Sequence, residues 1–198
     1  PSLRKEMAPT KHDFYAQHPT SSVTLKITPK GGGDEVTLYV SSEMLAMHSF
    51  FFRSILFKLA DDEKSDDEDA DATGEYAPNL VRSDLKEVAM ANIEVSQFID
   101  LLNMIYPSED PVTDDNVEYI LELCYKYHFN VVMHDCENFL TKTSTKTKEQ
   151  KLLLADKFYL TDLQTAVLNT LTAGEARQLK ANDAFSSDLK ALLTDKIV

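Results

Sequence analysis

Residues 36–56 read VTLYVSSEMLAMHSFFFRSIL, and this stretch decides much of the fold. Its first five residues alternate apolar with polar side chains, which predicts a β-strand. Helical spacing follows, and Ser41 or Ser42, and then Ser49, are residues of the type that caps helix N-termini. We therefore expect a strand and two short helices. The first helix would carry Met44, Leu45 and Met47, and the second would bury Phe52, Ile55, Leu56 and Leu59.

A second alternating segment, VTLKI at 23–27, precedes this stretch and is separated from it by a glycine-rich turn at 29–34. Two alternating segments joined by a short turn of this kind predict a β-hairpin. Residues 1–12 are polar and unpatterned, so we expect a disordered tail there and ordered structure from about Phe14 onward.

The charge of the chain is concentrated after the two helices. The net charge is −13, from 20 Lys and Arg against 33 Asp and Glu, and residues 61–75 alone contribute −8 with nine acids and one lysine. Because residues 61–78 have no apolar period, we expect a solvated acidic loop insertion. The alternatives are a contact for a basic partner or a substrate site for an acid-directed kinase at Ser65. The negative balance argues against binding to nucleic acid or to anionic membranes.

Beyond the acidic stretch the pattern becomes helical. Residues 87–93 predict one more strand, a helix is expected at 98–105 before Pro107, and Thr113 is expected to cap the next helix. The apolar stripes of the two helices that follow are Val117, Ile120, Leu121 and Cys124, and then Val132, Cys136, Phe139 and Leu140. Further short helices are expected at 152–159, 163–171 and 189–197.

Residues 121–140 and 152–171 form an internal repeat with an offset of 31 residues. Tyr127 matches Phe158, and Phe129 matches Leu160. Each copy predicts a helix, a tight bend and a second helix. Because one helical pair cannot cover its own apolar face, we expect the second pair to stack on the first rather than to hang on a linker.

The sequence offers one constellation that resembles a metal site, Cys124, His128, His134 and Cys136. The repeat aligns the two cysteines with Ala155 and Val167, which indicates small buried apolar groups rather than ligands. We also find no phosphate-binding glycine loop and no nucleophile with its base. We therefore expect no metal, no cofactor and no catalytic residue, that is, a protein that is not an enzyme. Cysteines in apolar segments and the lack of a signal peptide or an 18-residue apolar run predict an intracellular protein, cytoplasmic or nuclear.

Phe50, Phe51 and Phe52 form the most apolar point of the chain. Three consecutive helical residues spread over about 200° of arc, so they cannot all enter one core face. Two interpretations are open. Either the helical hairpin is buried on all sides, or part of its surface is a subunit interface.

The segments described above resemble the BTB/POZ domain, particularly the nematode-type BTB proteins. The resemblance rests on the strand pair, on 44–52 (MLAMHSFFF), on 98–106 (FIDLLNMIY) and on 121–127 (LELCYKY). It assigns residues 13–141 to a BTB/POZ domain with the acidic loop at 61–78 inserted in it. Residues 142–198 resemble a BACK or three-box helical extension. The implied fold is α+β, a small sheet capped by helical hairpins and followed by an all-α part.

The resemblance implies a homodimerising protein-interaction module that serves as a substrate adaptor, recruiting a cullin-RING ubiquitin ligase for ubiquitination of an unidentified client. The implied dimer interface is Phe14, Tyr15, Val23, Leu25, Met44, Met47, Phe50 and Phe51. The implied cullin contacts are Leu59, Asp61, Tyr127 and Phe129. The alternative is a dimerisation scaffold for a regulatory or chromatin protein with no ligase role.

The sequence departs from the family pattern at three places. Ser22 stands where the family usually has Asp before the first strand, and Ser41 stands where it has His before the first helix. The hydrophobic-x-Glu signature that the family uses for cullin binding is 59–61 (LAD) here, so its acid is one methylene shorter. The first departure weakens the analogy with the peptide-binding groove of the family's transcriptional repressors, and the third puts cullin recruitment in question.

Overall fold

The computed structural model describes residues 11–59, 80–106 and 110–197. The chain forms two compact units. Unit 1 consists of the described residues up to Asp110 together with Lys126–Asn130, and unit 2 consists of Pro111–Tyr125 and the chain from Val131 onward. Among the described residues, no helix is both long enough and apolar enough to cross a membrane.

The secondary structure is mixed in the first half of the chain and helical in the second. The strands are β1 (Val23–Pro29), β2 (Val36–Val40), β3 (Phe57–Leu59), β4 (Leu80–Arg82) and β5 (Glu87–Ile93). The helices are α1 (Ser42–His48), α2 (Phe50–Leu56), α3 (Val95–Ile105), α4 (Val117–Tyr127), α5 (Asn130–Lys142), α6 (Lys148–Phe158), α7 (Thr161–Asn169), α8 (Ala173–Lys180) and α9 (Ser187–Asp195).

A three-stranded sheet with the order β2-β1-β5 organises unit 1. β1 pairs with β2 in antiparallel register, with Leu25 opposite Leu38, and with β5 in parallel register. The glycine-rich turn between β1 and β2 needs its glycines, because Gly31, Gly32 and Gly33 adopt φ values of 90°, 91° and 124°. The alternating apolar residues of the hairpin are at most 3% exposed, apart from half-buried Val36, which confirms the predicted hairpin and the α+β class.

The second helix ends earlier than the sequence predicted. α2 stops at Leu56, and Phe57 turns to extended geometry with φ −132° and ψ 148°. The expectation that Leu59 continues this helix is therefore wrong: β3 pairs in antiparallel register with β4, and Leu59 lies opposite Leu80. Leu80 is 21 residues from Leu59, so no local sequence pattern could predict this pairing. The predicted acidic loop insertion, 61–78, connects these two strands and lies outside the described residues, as does most of the predicted tail at 1–12.

The internal repeat is confirmed at the level of the backbone. His128, between α4 and α5, has φ 53°, and Tyr159, between α6 and α7, has φ 58°. These two left-handed residues are 31 positions apart, the offset that the sequence predicted. In unit 2 the second pair packs on the first, since Glu137 of α5 accepts a hydrogen bond from the Leu163 N–H of α7 at 3.0 Å.

Several helix boundaries differ from the expectation, and α3, α6, α7 and α9 each begin two to four residues earlier than expected. α4 begins at Val117, after a turn in which the Val117 N–H donates to the Thr113 carbonyl at 3.0 Å, so Thr113 precedes the helix by a full turn. α8 was not singled out from the sequence. Its signal is a capping box, in which the Thr172 hydroxyl and the Glu175 carboxylate each accept from the other residue's backbone N–H.

Candidate functional site

The exposed apolar side chains of unit 1 include three large ones that the sequence assigned to an interface. Tyr15 is 60% exposed, Met47 near the end of α1 is 59% exposed, and Phe50 at the start of α2 is 58% exposed. The Arg53 guanidinium lies 5.1 Å from the centroid of the Phe50 ring. Large apolar groups left in water on a folded protein mark interaction surfaces when they cluster on neighbouring elements. We call Tyr15, Met47 and Phe50 the exposed apolar set.

The three consecutive phenylalanines are divided between core and surface. Phe52 is fully buried, Phe51 is half-buried and Phe50 is exposed. The interpretation that the helical hairpin is buried on all sides is therefore wrong. The remaining interpretation, a partly exposed interface, is the one that the exposure of Phe50 favours.

Ser49, between α1 and α2, fixes which phenylalanine faces outward. Its hydroxyl accepts from the Phe52 N–H at 3.1 Å, which caps α2, and donates to the Tyr127 carbonyl at 2.6 Å. The next N–H, of Phe50, donates to the His128 carbonyl at 3.2 Å. Because these bonds tie the start of α2 to residues 127–128, the rotation of α2 about its axis is set and Phe52 points inward.

The buried members of the predicted dimer interface form part of the core of unit 1. Phe14, Val23 and Leu25 are at most 3% exposed. The Phe14 ring packs edge-on against Tyr106 at 4.9 Å between centroids. Met44 is half-buried. These side chains hold the segments that carry Tyr15 and Met47 rather than presenting a surface themselves.

A network of hydroxyls and one carboxylate joins the start of β1 to the start of α1. The Ser22 hydroxyl lies 2.8 Å from that of Ser42 and donates to Glu43 at 3.0 Å, and the Ser41 hydroxyl donates to Glu43 at 2.9 Å. Burial raises the pKa of the Glu43 carboxyl, but hydrogen bonds from its own backbone and from these serines outweigh burial and hold the pKa below its usual value. Ser22 and Ser41, the two serines that depart from the family pattern, therefore belong to one hydrogen-bonded cluster.

The predicted cullin contacts lie in different environments. Leu59 is the last residue of β3, and Asp61 lies outside the described residues. Tyr127 is 5% exposed and Phe129 is fully buried. The Phe52 ring lies 6.0 Å from each of their rings, so the two aromatics belong to the core under α2.

The four candidate metal ligands are also separated by environment. Cys124 and Cys136 are buried, whereas the His134 side chain is 65% exposed. Burial raises the pKa of the Cys136 thiol to about 12 and raises that of Cys124 further, so both thiols stay protonated. In the part of the chain that the structure describes, no cluster of His, Cys, Asp and Glu could hold a metal ion.

Unit 2 carries an exposed aromatic pair that the sequence analysis missed. Tyr125 is 49% exposed and Tyr159 is 74% exposed, and their ring centroids are 6.4 Å apart. Tyr159 was expected at the end of a helix, where its exposure could not be judged. The signal that was available is the repeat, which aligns Tyr159 with His128 at the bend between two helices.

Comparison with known proteins gives a consistent result. The family model for the BTB/POZ domain matches residues 14–144. The chain is 30% identical over 193 residues to BTB and MATH domain-containing protein 38 of Caenorhabditis elegans, which covers 95% of this chain and 43% of that protein. It is 26% identical over 151 residues to BTB and MATH domain-containing protein 36 of the same organism, covering 76% and 41%.

A viral protein is also similar. Kelch repeat and BTB domain-containing protein 1 of Vaccinia virus (strain Copenhagen) is 27% identical over 97 residues, covering 48% of this chain and 17% of that protein. The chain therefore spans less than half the length of each of these curated relatives.

Proposed function

Because this chain belongs to the BTB/POZ domain family, a family of protein-interaction modules, we propose that it is a homodimerising substrate adaptor of a cullin-RING ubiquitin ligase. The names of its relatives pair a BTB domain with a MATH domain or with Kelch repeats. We propose that a recognition part of that kind selects the client protein. The chain itself contributes association and scaffold binding, not catalysis.

The domain assignment that goes with this proposal follows the family resemblance. Residues 13–141 form the BTB/POZ domain and 142–198 form the BACK or three-box-like extension. The repeat supports an extension that continues the helical stacking, because α6 and α7 reproduce the bend between α4 and α5. Unit 2 includes Pro111–Tyr125 as well as the whole extension, so the extension is not an independently packed body.

The exposed apolar set is the observation that carries the homodimer. Met47 and Phe50 lie on either side of the Ser49 cap, more than half exposed, on a chain whose other apolar residues are mostly buried. A self-complementary interface brings the same patch of two copies together, so each exposed side chain is buried twice per dimer. Of the other residues proposed for the interface, Met44 and Phe51 are half-buried, and Phe14, Val23 and Leu25 lie in the core of unit 1.

The cullin contact is proposed at the end of β3. Leu59 and Asp61 supply the hydrophobic residue and the acid of the signature. The rings of Tyr127 and Phe129 pack against Phe52 and so hold α2 in place. Because α2 leads directly into β3, we propose that they contribute by positioning this strand. The nine acids that follow Leu59 within residues 61–75 give the proposed surface a strong negative field.

Homodimerisation is tested by sedimentation equilibrium on the wild type and on Met47→Asp/Phe50→Asp. We expect a dimer for the wild type and a monomer for the variant, because an unpaired carboxylate in an apolar interface is costly. Leu192→Asp is the matched control, since Leu192 is 41% exposed on α9 of unit 2. A wild type that stays monomeric at high micromolar concentration would overturn the dimer.

Cullin binding is tested by titration with a purified cullin N-terminal domain. We expect micromolar or tighter binding that Leu59→Asp abolishes and that Leu85→Asp, a change at a 43% exposed leucine elsewhere in unit 1, leaves intact. If the wild type does not bind at tens of micromolar, the adaptor role is wrong and the chain is a dimerisation scaffold for a regulatory or chromatin protein.

A further inference from the structure

Residues 11–18 hold two histidines and lie against the core of unit 1. We call this segment the N-terminal clasp. At its centre the Phe14 carbonyl accepts a hydrogen bond from the Tyr39 N–H of β2 at 2.8 Å. At its start Lys11 forms an exposed ion pair with Asp110 at 2.6 Å. The described contacts that attach the clasp are therefore this hydrogen bond to β2, the surface ion pair, the hydrogen bonds between His18 and Ser21, and the packing of its rings.

The rings of the clasp form a compact cluster around His12. The His12 centroid lies 4.5 Å from that of His18 and 4.8 Å from that of Tyr106. Phe14, which is 2% exposed, lies 4.8 Å from His12 on the same cluster. His18 Nε2 lies 2.9 Å from the Asp13 carbonyl oxygen, so this nitrogen carries a hydrogen and donates it. Two imidazoles at this distance pack well when neutral and repel when charged.

The ionisable groups that face His12 come from two elements. His18 and Asp13 lie on the clasp, and Tyr106 follows α3. Burial lowers the pKa of His12, a charge on His18 lowers it further, and Asp13 opposes both. Burial raises the pKa of Tyr106, which receives the Ser41 N–H on its hydroxyl oxygen at 2.8 Å, so this phenol stays neutral. Lys11 is engaged by Asp110, which raises its pKa.

We propose that His12 and His18 make the N-terminal clasp a proton-sensitive latch, which is held most firmly when both rings are neutral and opens more often when both are protonated. Protonation of both rings places two positive charges 4.5 Å apart, and Asp13 is the acid that acts on His12 against this repulsion. Release of the clasp relieves that repulsion, because each imidazolium then lies in water.

The direction of the pH dependence follows from proton linkage. In the open clasp His12 titrates near its ordinary pKa of about 6.5, whereas in the closed clasp its pKa is lower. The open state therefore binds protons more readily. The contribution of neutral His12 to the stability of the closed clasp is complete above about pH 6.5 and is lost as the pH falls through the lowered pKa of His12.

Opening uncovers the Phe14 and Tyr106 rings and moves Tyr15, which lies on the same segment. If the exposed apolar set is a dimer interface, association becomes weaker in mild acid. That consequence rests on the proposed function. The latch itself does not, and it is tested by a readout that is independent of association.

The Tyr39 amide reports the latch directly, because its hydrogen-bond acceptor is the clasp carbonyl of Phe14. The experiment measures amide hydrogen exchange by NMR between pH 7.5 and 5.0, expressed as protection relative to the intrinsic exchange rate at each pH. The Thr24 amide, which donates to Lys86 at 2.8 Å in the neighbouring strand pair, is the internal control. We expect the protection of Tyr39 to fall by at least about fivefold relative to Thr24, since even in water two unit charges at this distance repel by about that factor.

The variant His12→Phe/His18→Gln keeps an aromatic ring at position 12 and a donor toward Asp13, but it cannot acquire either charge. We expect its Tyr39 protection at pH 7.5 to match that of the wild type and to stay constant down to pH 5.0. The single variant His18→Gln removes only the repulsion between the two imidazolium rings. Between pH 7.5 and 5.0 the logarithm of its Tyr39 protection should change by less than half as much as in the wild type. Parallel loss of Tyr39 and Thr24 protection in the wild type, or an undiminished pH dependence in either variant, would overturn the latch.

Discussion

The two bends of the repeat share a backbone and differ in their surroundings. The first bend, residues 127–129, centres on His128, and the second, residues 158–160, centres on Tyr159, both in the left-handed region. The residues on either side are buried at both bends: Tyr127 and Phe129 at the first, and Phe158 and Leu160 at the second. At the first bend, however, the carbonyls of Tyr127 and His128 accept hydrogen bonds from Ser49 and Phe50. At the second, Tyr159 is 74% exposed beside Tyr125.

The difference shows that a repeated sequence pattern specifies the bend but not its role. The first bend accepts the hydrogen bonds that fix the start of α2, and so it orients Phe50, the side chain on which the proposed dimer depends. The second bend presents an aromatic side chain of its own.

The largest effect is expected for Phe52→Ala at the first bend. Phe52 is fully buried and packs on Tyr127 and Phe129, so its truncation should lower the free energy of unfolding by about 3–5 kcal/mol. Phe50→Ala is the control, and at an exposed position it should change stability by about 0.5 kcal/mol or less. Urea denaturation followed by circular dichroism measures both. Equal losses for the two variants would mean that α2 is not docked on the first bend.

Ser49→Ala should lower the free energy of unfolding by about 2 kcal/mol, because it removes the cap of α2 and leaves the Tyr127 carbonyl without the hydroxyl donor. Ser186→Ala removes the exposed cap of α9 and should lose about 1 kcal/mol. Denaturant titrations of the two variants give the comparison. The Ser186 hydroxyl also donates to the exposed Asp156 carboxylate at 2.5 Å. A loss for Ser49→Ala no greater than that for Ser186→Ala would show that the buried contact with Tyr127 adds no more than this exposed one.

The second bend should respond to backbone preference rather than to packing. Tyr159→Val places a β-branched residue at φ 58° and should destabilise the protein by about 1 kcal/mol. Tyr159→Asn, a residue that tolerates this region, should change stability by less than about 0.5 kcal/mol. Thermal unfolding at fixed protein concentration measures both. If both variants lose stability equally, the Tyr125 contact matters more than the backbone.

The smallest effect is expected for Lys157→Met. Lys157 pairs with Glu122 at 2.7 Å, but both side chains are about 60% exposed, so the ion pair should contribute less than about 0.5 kcal/mol. The measurement is the urea midpoint at low and at high salt. A loss above about 1.5 kcal/mol, or one that high salt does not reduce, would contradict this view of the second bend.

Local patterns predicted the elements that depend on neighbours in sequence. The hairpin of β1 and β2, the strand β5 and the helices from α3 onward other than α8 were found because alternating or helical spacing is visible within each segment. The pairing of Leu59 with Leu80 was not predicted, since it joins strands separated by the acidic stretch. The candidate site was predicted as a set of residues, but the sequence could not separate exposed Phe50 from buried Phe52.

The sequence by itself determined the family, the α+β class, the repeat and the concentration of acid after Leu59, because these are properties of composition and spacing. The tertiary structure decided which apolar residues face water. The rotation of α2 is set by hydrogen bonds from Ser49 and Phe50 to residues almost 80 positions away, and no period within a seven-residue helix contains that information. Likewise, only the folded chain brings the His12 ring to 4.5 Å from that of His18 and 4.8 Å from that of Tyr106.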